Sequence, residues 1–533
     1  MNDPQSFSKR MNISNISNFS RRSILKAAAV AGASATIASQ LPSTAGAANL
    51  AQDEGRKLVI GWWEDFVDLD PAQMRDSLAT EMAYKIYSNL VRLKSGSTEE
   101  LVPDLAESWE MSEDGLEYTF NLKQGVQWHR DFGEVTAEDV KFSLMRHKDE
   151  AVGSNFVNEA SLIKDVEVVD THTAKVLMSE PYPGFLVEFA AYRPGFIVNQ
   201  KAIDEAGDRY NEQPIGSGPF VFDQWSPGQQ VDLVVNEAYD GETGPFTGIT
   251  YVVIPEESTL EIALETGDVD IAYILGPEIQ ARVSENENLN TTSTIAPRTF
   301  YLQLNSEREP FNDVRVRQAL WYAIDRQTLV DAVMLGFGEV TDTLLNPHVF
   351  GRLEERAYEY DPEKAKSLLA EAGYPDGFEA SFLIYPPYGL PDVAAATQQM
   401  LKEVGVEITI DQREWAQHVE LRRSGTFDIA LQPLLRLGPD QYVTPAMHSE
   451  SIPYPNASRY SNPDMDALIE KARSTVDDEE RKDVYYEIQR LAHEEAPVIP
   501  MYFPVFILAS QLNIQGAVSG LLTVNVTELT LES

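Results

Sequence analysis

Apolar and polar positions alternate most regularly between Leu105 and Leu144, in the stretch LAESWEMSEDGLEYTFNLKQGVQWHRDFGEVTAEDVKFSL. Leu116, Tyr118, Phe120 and Leu122 interleave with Glu117, Thr119 and Asn121, the period of two that marks a half-buried strand. Asp114-Gly115 ahead of it is a hairpin signal, because glycine takes the positive φ of a tight turn. Gly125 interrupts the run and Val126-Gln127-Trp128 resumes it. Thr136 precedes Asp139 by three residues, a shortened relative of the capping box, and Ala137, Val140 and Leu144 share one face of the helix that follows. The unit predicted is strand, hairpin and helix with an aromatic face. A second alternating pair, Val166–Val169 and Ala174–Met178, is joined at Asp170–Thr173.

On either side the pattern changes. Leu58-Val59-Ile60 is a short buried strand running into Gly61-Trp62-Trp63-Glu64-Asp65. Adjacent aromatics at a strand end point to opposite faces, so one of Trp62 and Trp63 is expected in the core and the other toward a cleft. Ile215-Gly216-Ser217-Gly218-Pro219-Phe220 lacks the spacing of a phosphate loop and precedes a strand, so it is read as a structural crossing. From Thr299 onward strands and helices alternate: strand Phe300–Asn305, helix Val314–Leu335, a helix opened by Asp361-Pro362 and closed by Gly373, strand Phe378–Tyr385, helix Val393–Val404, strand Val406–Asp411, helix Trp415–Arg423 and strand Phe427–Gln432. Such alternation implies parallel pairing and an α/β lobe. Helices Asp464–Ser474 and Asp478–Glu495 follow, and Pro497–Tyr502 returns the chain to the first lobe. The expected layout is two lobes with crossings near Ala296–Tyr301 and Glu495–Met501.

The order A-E-S-W, D-G-x-x-Y-T-F, L-x-x-G-V-x-W and T-A-E-D-V-x-F-S resembles the signature of the solute-binding proteins of peptide, nickel and opine ABC importers (family 5). The G-S-G-P-F turn, G-D-V-D-I after Thr266 and R-V-R-Q-A-L-x-x-A-I-D after Val314 match the same family. The resemblance implies an α/β, periplasmic-binding-protein-like two-lobe fold with an extra third domain, of the large cluster C type. The implied spans are an export signal at 1–47, a first lobe at 48–92, 211–297 and 497–533, the extra small domain at 93–210, and a second lobe at 298–496. It also implies a peptide or small-molecule ligand, permease subunits in the inner membrane as partners, and a monomer that binds without catalysing and needs no cofactor.

Composition narrows the setting. The 533 residues carry a formal net charge of −42, spread along the chain, which disfavours nucleic acid and anionic lipid. Two readings stand: a solvated acidic surface, or a field that concentrates a cationic ligand. The chain has no cysteine, which removes disulfides, thiolate metal sites, cysteine nucleophiles and a lipoprotein anchor. Ser20-Arg21-Arg22-Ser23-Ile24-Leu25-Lys26, the apolar run Ala27–Ala38 and Ala45-Gly46-Ala47 resemble a twin-arginine export signal with its cleavage site. Cleavage there removes five positive charges and one negative, taking the net charge to −46 and leaving a periplasmic protein without a lipid anchor.

Catalytic groupings are weak. The seven histidines include no pair four apart around a glutamate, and Gly216-Ser217-Gly218 is not a nucleophile elbow. An exported hydrolase and a binding protein for an opine-like compound or metal chelate, also serving chemoreception, are the alternatives carried. Many peptide-binding relatives place Gly-Trp and a D-x-x-D-P-like stretch after the strand Phe427–Gln432, an aspartate there holding the peptide amino terminus. This chain instead reads Gln432-Pro433-Leu434-Leu435-Arg436-Leu437-Gly438-Pro439-Asp440. A guanidinium prefers bidentate carboxylate or phosphate, so Arg436 is the candidate anchor, with Asp440 beside it. Trp62 or Trp63, Tyr385, Trp415 and Tyr502 are expected as apolar walls. No metal ligand and no catalytic residue is assigned.

Overall fold

The computed structural model describes residues 55–386, 389–517 and 523–532; the expected export signal lies outside them. Leu58–Trp62 lies between two parallel neighbours, Gly248–Val253 and Ile271–Ile274. Leu58, Ile60 and Trp62, which share one face, are fully buried, and Val59 on the other face packs against the cluster of Leu260 and Leu264. Gly248–Val253 continues antiparallel into Gln230–Val235 and then Phe220–Ser226. On the other side Ile271–Ile274 pairs with the second half of one long strand, Val498–Gln511.

That strand joins the two halves of the protein. Its second half also pairs with Leu289–Ile295, and its first half with Arg298–Leu304 and Gly338–Val340. Arg298–Leu304 runs antiparallel to Ile429–Leu435, which is flanked by Phe378–Ile384 and then Val406–Gln412, both parallel as the βα alternation predicts. The result is a continuous twelve-stranded sheet with a separate apolar core on each half. The return crossing falls at Phe503–Val505, after the expected Glu495–Met501, because pairing with the second half persists through Pro504 opposite Gly338.

The alternating stretch forms the second strand of a separate four-stranded antiparallel sheet, Ala106–Met111, Glu117–Leu122, Thr173–Met178 and Ile163–Asp170 in spatial order. Tyr118 and Phe120 are fully buried on its inner face, with Gly115 at φ 69° in the hairpin turn. The Thr136 N–H donates to the Asp139 carboxylate at 2.8 Å, and Ala137, Val140 and Leu144 are buried along one face of helix Ala137–Arg146. No helix among the described residues is long and apolar enough to cross a membrane.

One helix is split where the pattern predicts continuity. In place of Val314–Leu335 stand Val314–Ala323 and Arg326–Ala332, separated by an extended Ile324. Asp325 caps the second by accepting from the Thr328 N–H at 3.0 Å. The break lets Arg326 reach a buried partner, Asp342, at 2.6 Å, and carbonyls of Thr341, Pro500 and Tyr358. Satisfying a buried guanidinium overrides helical periodicity here.

The Gly-Ser-Gly turn is a close backbone crossing. A Cβ on Gly216 would lie 1.9 Å from the Ile86 carbonyl oxygen, and one on Gly218 would lie 2.5 Å from that of Lys85. Both contacts are with main chain, which has little room to retreat. Gly216→Ala should therefore destabilise the fold by about 3 kcal/mol, the upper range for overpacking. Urea unfolding measures this; a variant as stable as wild type would show that the crossing can yield.

Candidate functional site

A cavity of about 740 Å³ lies where three regions meet. Glu64 and Arg75–Thr80 come from the first half, Asn155–Glu159 and Glu188–Pro194 from the region of the antiparallel sheet, and Tyr385, Glu414, Trp415 and Pro433–Arg436 from the second half. Arg298 enters from the crossing between halves.

Each wall is set by local structure. Asp76 caps helix Ser77–Ile86, accepting from the Ala79 N–H at 2.7 Å and the Val67 N–H at 3.0 Å. Burial nevertheless raises its pKa above the usual carboxylate value. Glu64 accepts from the Ser77 hydroxyl at 2.6 Å. Arg436 follows strand Ile429–Leu435, at the strand end where α/β lobes place ligands, and donates to the Leu435 carbonyl at 2.7 Å. Burial raises the pKa of Glu159, and the nearby Arg436 opposes that rise. Trp415 opens helix Trp415–Ser424 and is half exposed, its ring centroid 4.9 Å from that of Tyr385 and 5.7 Å from buried His418. Burial pushes the His418 pKa down to about 3, so this ring is neutral at ordinary pH.

Of the residues expected on the wall, Arg436, Tyr385 and Trp415 line the cavity. Trp62 does not: it is fully buried, edge-on to Tyr251 and Tyr273. Trp63 is half-buried and stacks on Trp62 at 4.6 Å and 18°, away from the cavity lining. The strand ends at Trp62, so strict alternation does not govern the pair. Tyr502 is also in the core, stacked on Phe300 at 5.1 Å in the middle of the long strand. Asp440 lines a different cavity, of about 280 Å³. It sits in the first turn of helix Pro439–Met447, where it accepts from Thr444 at 2.8 Å and pairs with Arg473 at 3.3 Å, so it does not accompany Arg436.

Sequence reasoning missed Glu64, Asp76, Glu159, Glu188 and the three arginines Arg75, Arg193 and Arg298. Their only local signal is the Asp76-Ser77 helix start, since the rest meet through tertiary packing. Glu188 separates the two cavities and is fully buried. It accepts from the Tyr182 hydroxyl at 2.7 Å, and its own carbonyl accepts from Gln441 at 3.3 Å. Gly438 lies against its carboxyl so closely that a Cβ there would be 1.6 Å from Oε1. Burial first, and the charge of Asp440 next, push the Glu188 pKa up to about 8.

The cavity thus offers guanidinium groups for an oxyanion, carboxylates for a cation, and aromatic faces between them. No group of three or more His, Cys, Asp or Glu side chains able to hold a metal occurs among the described residues.

Comparison with known proteins adds three findings. Residues 100–451 match the bacterial extracellular solute-binding proteins, family 5, middle. The chain is 30% identical over 469 residues to heme-binding protein A of Haemophilus influenzae, covering 82% of this chain and 85% of that protein, and 29% identical over 444 residues to the dipeptide-binding protein of Escherichia coli, covering 78% and 83%. The solved structure of HbpA2 from Haemophilus parasuis superposes with a TM-score of 0.80 at 28% identity, covering 90% of this chain and all of that one.

Glu188 gives a pH prediction. Its folded value of about 8 exceeds the ordinary 4.5, so across that window the native state holds a proton that the unfolded chain has released. Its stabilisation is complete below the unfolded value and lost as pH rises through the folded one. Glu188→Gln should flatten the decline in unfolding free energy between about pH 5 and 8 by up to about 1.4 kcal/mol per pH unit. Urea titrations at stepped pH test this, and equal slopes for both proteins would refute a buried neutral acid.

Proposed function

The chain belongs to the bacterial extracellular solute-binding proteins, family 5, and on that premise we propose that it captures a carboxylated solute of peptide size in its inter-lobe cavity and delivers it to an ABC permease. The carrying observation is the cavity itself: about 740 Å³, with Arg75, Arg193, Arg298 and Arg436 around an aromatic wall. That volume lies within the range of small-ligand sites. The ligands named for the two curated relatives, heme and dipeptides, share a carboxylate, which fits Arg436 as anchor. Carboxylates such as Glu64 and Glu159 would receive the ammonium end of a zwitterion, so a short peptide is the ligand class that best matches both charges.

The protein acts by binding without turnover, as a monomer in the periplasm. Residues 93–210 form the extra domain that widens the cleft between the first lobe (48–92, 211–297 and 497–533) and the second (298–496). Ligand stabilises the closed form by touching both lobes. Export runs through the twin-arginine signal, with a mature start near Ala48 and no lipid anchor.

Mass spectrometry of native, undialysed protein identifies the solute, which should be recovered unchanged and should raise the melting temperature as RT ln(1 + [L]/Kd) dictates. Turnover by pure protein, abolished by one cavity substitution, would reassign it as an enzyme. Arg436→Ala should weaken binding of that solute by about 2–5 kcal/mol while leaving ligand-free melting near wild type. A destabilised variant with normal affinity would remove Arg436 from the anchor role. For export, changing Arg21 and Arg22 together to Lys should strand precursor in the cytoplasm; undiminished export would exclude the twin-arginine route.

A further inference from the structure

A smaller cavity of about 210 Å³ adjoins the main one, sharing Trp415, Pro433, Leu435 and Arg436 as lining. Its lining contains two arginines, Arg422 and Arg436, and no aspartate or glutamate. In a chain with 84 acidic and 42 basic residues, such a lining runs against composition.

Arg422 stands out against its neighbours in the same half. Three arginines there are almost fully buried: Arg317, Arg326 and Arg422, each 4–5% exposed. Arg317 donates to the carbonyls of Phe311, Glu495 and Ala496 and has the Glu495 carboxylate at 3.6 Å. Arg326 holds Asp342 at 2.6 Å as well as three carbonyls. Arg422 differs. Its Nε donates to the Gln303 side-chain oxygen at 2.8 Å, Tyr454 is a second side-chain hydrogen-bond partner with its ring centroid 5.3 Å from the guanidinium, and no carboxylate pairs with Arg422 among the described residues. Burial pulls its pKa below the ordinary guanidinium value, and the neighbours that oppose this are tyrosines, Tyr301, Tyr454 and Tyr385, and not carboxylates. Arg423 approaches the same Tyr454 ring at 5.2 Å, so a second cation adds to the local positive field.

A buried cation is stable where a carboxylate or a full set of carbonyls meets it. Arg422 has neither, and it borders a void that opens past Trp415 toward the ligand cavity. The void suits a group of a few atoms, and its aromatic and proline lining suits the methylenes leading to such a group.

We propose that this side cavity is a specificity subsite for a second anionic group of the solute, a carboxylate carried on a short side chain, with Arg422 as its counter-charge and Arg436 at its mouth. This rests on the reading of the main cavity as the site of a carboxylated solute. It narrows the preferred class from a neutral zwitterion to one bearing an additional carboxylate, such as an acidic dipeptide.

Calorimetry with Ala-Glu, Ala-Gln and glutarate tests it. Wild type should bind Ala-Glu at least about tenfold more tightly than its neutral isostere Ala-Gln, as a charge-assisted bidentate contact implies. In Arg422→Gln that preference should vanish while Ala-Gln affinity holds, and Arg422→Lys should restore part of it. Equal binding of the two dipeptides by wild type, or a preference that survives Arg422→Gln, would overturn the subsite and leave the main-cavity reading standing. The wild-type comparison needs no variant, so poor folding of Arg422→Gln does not block the decision. If neither dipeptide binds, the peptide reading fails and glutarate decides the subsite. Glutarate binding that Arg422→Gln abolishes sustains the proposal, and absence of glutarate binding to wild type overturns it.

Discussion

One strand carries the architecture. Val498–Gln511 is hydrogen-bonded along its first half to one lobe and along its second half to the other. Backbone ladders resist shear, so relative motion of the lobes that keeps both ladders concentrates where the strand changes partners. There Ile295 faces Val505 and Arg298 faces Leu435, with Pro297 between the two ladders, while Pro504 still stands opposite Gly338. Proline has no N–H to give a ladder, so neither Pro297 nor Pro504 donates there. The Ala296 N–H donates to the Pro504 carbonyl at 2.9 Å and holds the two crossings together. Arg298, two residues on, lines the cavity, so the crossing and the cavity wall are joined through the same short stretch of chain.

The treatment of buried charge separates structural from ligand-facing groups. Arg326 with Asp342, and Lys85 with Glu81 at 3.2 Å, are buried pairs that complete themselves within the fold. Glu188 is the opposite case, an acid kept neutral by burial beside Asp440, wedged against Gly438 at the junction of three regions. A neutral carboxyl there accepts from Tyr182 without the repulsion that a second anion beside Asp440 would cause. The fit of Glu188 against Gly438 therefore involves a protonation state as well as shape.

Much of the fold was legible because periodicity reflects local backbone geometry. The strand at Glu117–Leu122, the Thr136–Asp139 cap and the helix Asp478–Glu495 stand where the pattern put them. The misreadings arose where tertiary demands won. Helix Val314–Leu335 breaks so that Arg326 can reach Asp342, and Trp63 stacks on Trp62 because the strand ends between them. The site was legible only in part. Arg436 was marked by its position after a strand and by its departure from the family pattern, and Trp415 by opening a helix. Arg193, Glu159 and Arg298 belong to elements far apart in sequence, and nothing local distinguishes them from surface charges. Asp440 looked equivalent to Arg436 by proximity alone; one helical turn directs it to Thr444 and Arg473 instead.

The acidity of the chain and the arginines of its cavities act over different ranges. A formal charge of −42 would repel an anionic solute at a distance. Salt limits that field to about 8–10 Å at physiological ionic strength and about 3 Å in molar salt, so it slows approach more than it weakens the bound state. Contacts of a bound solute to Arg436 and Arg422, as proposed, would form inside the protein, where salt screens less. On that reading the surface governs encounter, while the cavity governs selectivity. An acidic exterior and the proposed anion-binding arginines of the interior are compatible in one molecule because the surface field decays over a Debye length while the arginines act at contact distance.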